Sequence, residues 1–61
     1  MNLHAQVPRP RVPVRRLDDG TVRADCRHCD WALTGHFPAE ISLTVAYHRE
    51  QHRRGDIEVT R

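Results

Sequence analysis

Two cysteines and two histidines form the most informative pattern in this chain. Cys26 and Cys29 are separated by two residues, and His48 and His52 follow at the spacing of one helical turn. A Cys-x2-Cys turn lets two thiolates bind one ion, and histidines four residues apart share one face of a helix. Two thiolates and two imidazoles make a closed tetrahedral zinc site. The spacing therefore predicts one structural Zn2+ bound by Cys26, Cys29, His48 and His52.

Other interpretations of the same residues remain open at this point. The two cysteines are alternatively a redox pair, although that chemistry usually belongs to a βαβ fold, for which 61 residues are too few. Another alternative is that the two cysteines are unreactive thiols and that the helix carries two histidines by chance. His28 and His36 are substitute ligands, but an interior residue of a tight Cys-x2-Cys turn is expected to point outwards.

The length and composition of the chain also favour a metal. Only 38% of its 61 residues are hydrophobic, and both cysteines belong to the motif, so no second pair offers a disulfide. The hydrophobic core of a domain of this size contributes little free energy of folding, so such domains usually need a disulfide, a bound metal or another cross-link. The first residues carry neither a charged nor an apolar signal-peptide region, and no stretch is long enough to span a bilayer. Free thiols suit a reducing compartment, so a cytoplasmic location is expected.

The composition of the chain changes near Leu17. Residues 1–16 contain three of the four prolines and four arginines without any acidic residue, which predicts a flexible Arg/Pro-rich arm. Residues 17–61 contain six arginines and eight acidic residues and are predicted to form a zinc-finger-like domain. The end of the arm alternates apolar and polar residues, so it is a candidate strand.

Turn residues and alternating residues predict a hairpin around the cysteines. Residues 18–20, Asp-Asp-Gly, form a typical hairpin turn, and residues 21–24 read as the strand that leads to Cys26. Residues 31–33 read as a short strand that leaves the cysteine turn. We therefore expect residues 22–33 to form a hairpin that grips the zinc ion.

A helix is predicted from Pro38 to Arg54. Pro38 suits a first helical turn, and Gly55 suits the position just after a helix. The predicted buried face consists of Ile41, Val45, His48 and His52. Residues 56–60 alternate in character and are predicted to form either an edge strand or an unstructured tail.

The chain resembles a ββα zinc finger, the family with two cysteine and two histidine ligands. The four ligands match, as does Val45, which stands where that family keeps an apolar core residue. The resemblance implies a small zinc-stabilised α+β fold, in which a β-hairpin with a zinc knuckle packs on one helix. The chain departs from the family because eighteen residues, rather than about twelve, separate Cys29 from His48. No second finger follows, so the chain is more similar to the solitary, enlarged fingers of bacteria and phages.

The family reads DNA through three helix positions, which correspond here to Ile41, Thr44 and Tyr47. These side chains are poorly suited to base edges, which are read mainly by Arg, Lys, Asn, Gln or acids. Any nucleic acid is therefore expected to be bound through its phosphates, with low sequence specificity. The candidate phosphate-binding residues are Arg9, Arg11, Arg15, Arg16, Arg49 and Arg53. Alternatively, the arm arginines only solubilise a tail.

A second apolar stripe on the helix offers another binding mode. Leu43 and Tyr47 lie one turn apart, away from the predicted zinc face. Either the 12–17 segment covers this stripe, or the stripe binds a protein partner or a second copy of the chain. Four protein ligands leave no open position on the metal, so the chain is not expected to be an enzyme. The sequence predicts a small regulatory or accessory binding module that acts at nucleic acid or a nucleoprotein complex, or else a protein-interaction adaptor.

Overall fold

The fold is a three-stranded antiparallel sheet packed against one helix. The computed structural model describes residues 4–61. Strands β1 (Val14–Arg16), β2 (Val22–Asp25) and β3 (Ala32–Gly35) precede helix α1 (Pro38–Arg54). The strand order is β1-β2-β3, and both neighbouring pairs are antiparallel. The predicted small α+β fold, with a hairpin packed on one helix, is confirmed.

Local sequence explains how the strands are connected. Gly20 has a φ of 86°, which glycine adopts without steric cost, and it ends the β1–β2 turn. Asp19 accepts hydrogen bonds from the backbone N–H and the hydroxyl of Thr21, at 3.0 and 2.6 Å. These hydrogen bonds fix the turn and lead the chain into β2. At the other end of β2, the Cys26 N–H donates to the Trp31 carbonyl at 2.9 Å and closes the cysteine turn.

Helix α1 begins and ends where the sequence predicts. Pro38 stands in its first turn, and Gly55 follows it with a φ of 78° in the left-handed region. The Gly55 N–H donates to the His52 carbonyl, and the Asp56 N–H donates to the Gln51 carbonyl at 2.8 Å. This pair of hydrogen bonds is a Schellman motif, which satisfies carbonyls that the helix leaves unpaired.

The core lies between the sheet and the helix. Alternate residues of β2 point towards α1, so Val22 and Ala24 are buried while Arg23 and Asp25 face outwards. The buried helical residues are the four that the sequence predicts: Ile41, Val45, His48 and His52. Val12 joins this core although it belongs to the predicted arm.

The predicted arm contributes to the sheet and contacts the helix. Its last three residues form β1, so the predicted division after Arg16 falls at the beginning of the β1–β2 turn. The Val7 N–H donates to the His52 carbonyl at 3.0 Å, and the Asp25 N–H donates to the Pro13 carbonyl at 3.2 Å. Residues 1–3 of the predicted arm lie outside the described residues.

The segment after the helix forms no strand. The sheet formed by residues 4–61 has three strands, so of the two alternatives for residues 56–60, the edge strand is wrong. The tail instead crosses the cysteine turn, where the Thr60 and Arg61 N–H groups donate to the His28 carbonyl at 2.7 and 3.2 Å. Arg61 also forms an ion pair with Asp30 at 2.9 Å. No helix in the described part of the chain is long and apolar enough to cross a membrane.

Candidate metal centre

Four potential ligand atoms converge between the β2–β3 turn and helix α1. Cys26, Cys29, His48 and His52 each offer one such atom, and these atoms all lie within 4.8 Å of one another. The hairpin supplies both sulfurs, because the cysteine turn brings Cys29 back beside Cys26. The helix supplies both imidazoles from its buried face. The predicted four residues therefore form one cluster, and neither His28 nor His36 belongs to it.

The distances within the cluster fit a tetrahedral ion. The Nε2 atoms of His48 and His52 each lie 3.4 Å from the Cys29 Sγ. In a tetrahedral zinc site, bonds of about 2.3 Å to sulfur and about 2.0–2.1 Å to nitrogen place neighbouring sulfur and nitrogen atoms roughly 3.6 Å apart. The cluster is therefore close to the size that such an ion requires.

Burial favours the uncharged form of the two histidines, which is the form that binds metals. His48 is 4% exposed and His52 is fully buried. Burial lowers the pKa of both imidazoles, and the neighbouring histidine lowers each further: His52 acts on His48, and His28 acts on His52. Neutral imidazoles keep a nitrogen lone pair free for coordination.

The thiol of Cys29 is subject to opposing effects. Desolvation raises its pKa, and the neighbouring Cys26 and Asp30 add to that increase, whereas a backbone hydrogen bond from Trp31 lowers it. A bound cation reverses this balance, because a coordinated thiol is deprotonated outright. The backbone N–H of His28 also donates to the Cys26 Sγ at 3.3 Å.

Packing around the cluster orients its imidazoles. The Trp31 ring stacks on His48, with 4.3 Å between centroids and 15° between planes. His28 and His48 both meet His52 edge-on, with centroid distances of 5.4 and 4.9 Å. The buried His52 Nδ1 has no hydrogen-bond partner among residues 4–61, so coordination through Nε2 leaves its Nδ1–H without an acceptor there.

The role of His28 is a feature that the spacing alone does not reveal. Its Nε2 accepts a hydrogen bond from the Arg11 N–H at 2.9 Å, so its ring proton lies on Nδ1. Its carbonyl accepts from the tail, and the adjacent Arg27 N–H donates to the Arg11 carbonyl at 3.0 Å. His28 therefore links the arm, the cysteine turn and the tail. In the sequence, only the position of His28 between the two cysteines indicates such a role.

The predicted phosphate-binding arginines divide between different surfaces. Arg9, Arg49 and Arg53 line one groove between the arm and the helix, together with Glu50. Arg15 lines a different groove, on the face of the sheet away from the helix. Arg11 and Arg16 are exposed and line neither groove.

The apolar stripe on the helix is exposed. Leu43 is 73% exposed and Tyr47 is 63% exposed, so of the two alternatives for this stripe, covering by the 12–17 segment is wrong. Val12 belongs instead to the main core cluster, together with Ile41 and Val45 of the helix.

Comparison of the chain with protein-family models, with curated proteins and with solved structures finds no match. The likeness to a ββα zinc finger therefore rests on the four clustered side chains and on the hairpin-and-helix fold.

Proposed function

We propose that this chain is a zinc-stabilised binding module that contacts nucleic acid through phosphates, as a small regulatory or accessory protein. The observation that carries the nucleic-acid part is the convergence of three arginines, from two separate segments, on one groove. We call this groove, lined by Pro8, Arg9, Pro10, Ala46, Arg49, Glu50 and Arg53, the arm–helix groove.

The donor set supports zinc as the metal. Two thiolates with two imidazoles suit Zn2+, whereas Mg2+ and Ca2+ prefer oxygen ligands. Cys26, Cys29, His48 and His52 would hold the ion, which would supply a structural cross-link between hairpin and helix. All four positions would be taken by side chains, so we infer a binding protein rather than an enzyme. The free thiols suit a reducing cytoplasm.

The charges of the arm–helix groove support phosphate binding. Its volume is about 470 Å3, and three guanidinium groups and one carboxylate line it. Arg53 pairs with Glu50, which leaves Arg9 and Arg49 as the excess positive charges. Guanidinium groups bind phosphate oxygens in a bidentate fashion, and released counterions add to the affinity.

The helix supports low sequence specificity. Ile41 is buried in the core, and the Thr44 hydroxyl donates to the Glu40 carbonyl of its own helix at 3.0 Å. Tyr47 is exposed but has only one hydroxyl to offer. The three positions that read bases in ββα fingers therefore present little that distinguishes one base pair from another.

The proposal is tested by fluorescence anisotropy with two labelled duplexes of unrelated sequence. We expect both duplexes to bind with similar affinity and to dissociate steeply as salt rises. Arg49→Gln should weaken binding to both and reduce the salt slope by about one. Arg54→Gln is the matched control, because Arg54 lies on the same helix, outside the groove, and pairs with Asp56. Absence of duplex binding by the folded, zinc-loaded protein at low salt would exclude this function.

The exposure of the Leu43 and Tyr47 side chains favours one second candidate, a protein-interaction adaptor. The variant Leu43→Asp/Tyr47→Ala should fold and bind one zinc ion, because these residues lie away from the metal cluster. Under the adaptor hypothesis it loses self-association in ultracentrifugation, or loses a host partner that survives nuclease treatment in a pull-down. Under the nucleic-acid hypothesis its affinity for duplex is unchanged.

A further inference from the structure

The face of the sheet that points away from the helix carries an unusual pairing of charges. Arg15 of β1 lies directly opposite Arg23 of β2 in the antiparallel register. Cross-strand partners project from the same face of a sheet, with Cβ atoms about 4.5–5.5 Å apart, and like charges at this distance repel. Because Val22 and Ala24 occupy the helix side of β2, the two guanidinium groups share the open side.

Two more arginines reach the same surface. Arg27 follows the end of β2, and Arg61 is the last residue of the tail that crosses the cysteine turn. Together with Arg15, Arg23 and Asp25 they line a groove of about 590 Å3, here called the sheet groove. Residues from a strand pair, a turn and the tail thus bring four guanidinium groups around one cleft.

The acidic groups nearby neutralise only part of this charge. Asp25 binds the Arg23 Nε at 3.0 and 3.1 Å. Asp30 pairs with Arg61 at 2.9 Å, but both side chains are mostly exposed, so water screens this pair. Arg15 and Arg27 form no ion pair within the described range 4–61. The groove therefore keeps two guanidinium groups that are available to an anion.

We propose that the sheet groove is a second phosphate-binding surface, which holds the sugar–phosphate backbone of a nucleic-acid duplex. This inference rests on the proposed function and extends it to a surface that does not include the helix. The two unpaired guanidinium groups, of Arg15 and Arg27, complement successive phosphates, because each phosphate accepts forked hydrogen bonds. None of the residues that line the groove is aromatic, so it offers no platform on which the bases of a single strand would stack.

The position of the groove favours a nucleic acid over an acidic peptide. Extended peptides usually join a sheet at an edge strand, where backbone groups are free to pair. The sheet groove instead lies over the face of β1 and β2, where side-chain cations are presented. A duplex backbone is bound largely through such cations.

The test compares single and combined substitutions in the same duplex-binding assay. Arg15→Gln and Arg27→Gln should each reduce the slope of log affinity against log salt by about one, and the double variant by about two. We expect the double variant to bind about tenfold or more weakly at low salt. Arg54→Gln removes one positive charge outside both grooves, as each single variant does inside the sheet groove, and should change affinity less than about twofold. Zinc stoichiometry and circular dichroism verify that each variant is folded.

The outcomes separate this inference from the proposed function. If the wild type binds no duplex, the proposed function fails and the sheet groove loses its ligand with it. If the wild type binds duplex, Arg49→Gln weakens binding and the double variant does not, the inference fails alone. Binding of poly-glutamate at the groove without binding of duplex would assign it to acidic protein and overturn the proposal. Shifts of the Arg15 and Arg27 Nε–H signals on adding duplex, in NMR spectra of the wild type, would support it directly.

Discussion

Cys29 is the least buried of the four clustered side chains, yet its Sγ is the atom that both imidazoles approach. His52, at the other extreme, is fully buried. Its Nδ1 has no hydrogen-bond partner among the described residues, and without the Cys29 sulfur its Nε2 would have none either. Burying unpaired polar groups is costly, so the cluster is stable only when its donors are satisfied together. A metal ion satisfies all four at once.

The first prediction concerns the identity of the ligands. Cys26→Ser and His52→Ala should each abolish stoichiometric zinc binding, because each removes one of four donors from a closed site. Metal analysis of purified protein, with one ion expected for the wild type, measures this. His36→Ala is the control, since His36 is exposed and lies outside the cluster. Retention of one tightly bound zinc by His52→Ala would show that the ligand set is different.

The second prediction concerns pH. Because burial lowers the pKa of His48 and His52, the unfolded chain binds more protons than the folded chain as pH falls below about 6.5. The free energy of unfolding should therefore decrease as pH falls through this region. Loss of zinc acts in the same direction, because protons compete with the metal for imidazoles and thiolates.

Thermal unfolding of the zinc-loaded protein between about pH 8 and pH 5 measures this effect, since the shift begins near the usual histidine pKa. The unfolding midpoint should drop and metal should be released together. A midpoint that stays constant over this range would contradict the assignment of two buried neutral histidines.

At the scale of elements, the helix was the most predictable part of the fold. Pro38 and Gly55 mark its ends, and the spacing of Ile41 and Val45 with the two histidines marks its buried face. The hairpin was also predictable, because the Asp-Asp-Gly turn and the cysteine spacing are local signals. Such local patterns act within a few residues, so they predict elements and the side chains that those elements carry.

The positions of the arm and the tail could not be predicted in this way. The hydrogen bond from the Val7 N–H to the His52 carbonyl joins residues far apart in the chain, and so does the bond from Thr60 to His28. Backbone hydrogen bonds of this kind do not depend on the type of side chain, so they cannot be predicted from a pattern of residues. The path of the arm buries Val12 in the core. The arm therefore does not cover Leu43, which stays exposed.

The third prediction concerns the end of helix α1. Gly55 has a φ of 78°, and a Cβ atom at this position would lie 2.7 Å from the His4 carbonyl oxygen. Gly55→Ala should destabilise the zinc-loaded protein by at least about 1–2 kcal/mol, from the left-handed conformation alone. Gly20→Ala is the matched control, because Gly20 has a φ of 86° and a Cβ atom there would meet no other atom within 4 Å.

Urea denaturation of the two variants separates the causes. Gly20→Ala reports the conformational cost, and Gly55→Ala should exceed it because the arm backbone must also move. Equal losses of stability would mean that residues near His4 do not pack against the helix end in solution.

The fourth prediction concerns strand β1. Arg15→Thr removes one partner of the repulsive Arg15–Arg23 pair and introduces a β-branched residue that suits a strand. It should stabilise the protein by about 0.2–1 kcal/mol while weakening duplex binding. Arg16→Thr is the control, because Arg16 lies opposite Val22 and faces no like charge. Stabilisation of the same size in both variants would reflect strand propensity alone and would show that Arg15 and Arg23 do not repel each other measurably.

For the whole molecule, the candidate metal cluster lies where the arm, the hairpin, the helix and the tail meet. The hairpin and the helix supply its ligands, the arm donates to the His28 ring, and the tail donates to the His28 carbonyl. Among residues 4–61, the buried hydrophobic core contains only six residues, of which Cys26 is one: Val12, Val22, Ala24, Cys26, Ile41 and Val45. A core of this size contributes only a few kcal/mol, whereas structural zinc contributes about 10–16 kcal/mol of apparent binding free energy.

The last prediction follows from this imbalance. Removal of zinc by a chelator should unfold the whole described chain in one transition, rather than release the helix from an intact hairpin. Amide signals of Val7 in the arm, Ala24 in β2 and Thr60 in the tail should lose their dispersion together in NMR spectra. Returning Zn2+ should restore them, and Mg2+ should not, because thiolate and imidazole ligands do not suit a hard cation. If Ala24 kept its native shift after chelation, the sheet would be stable without the metal, and the ion would serve only to attach the helix.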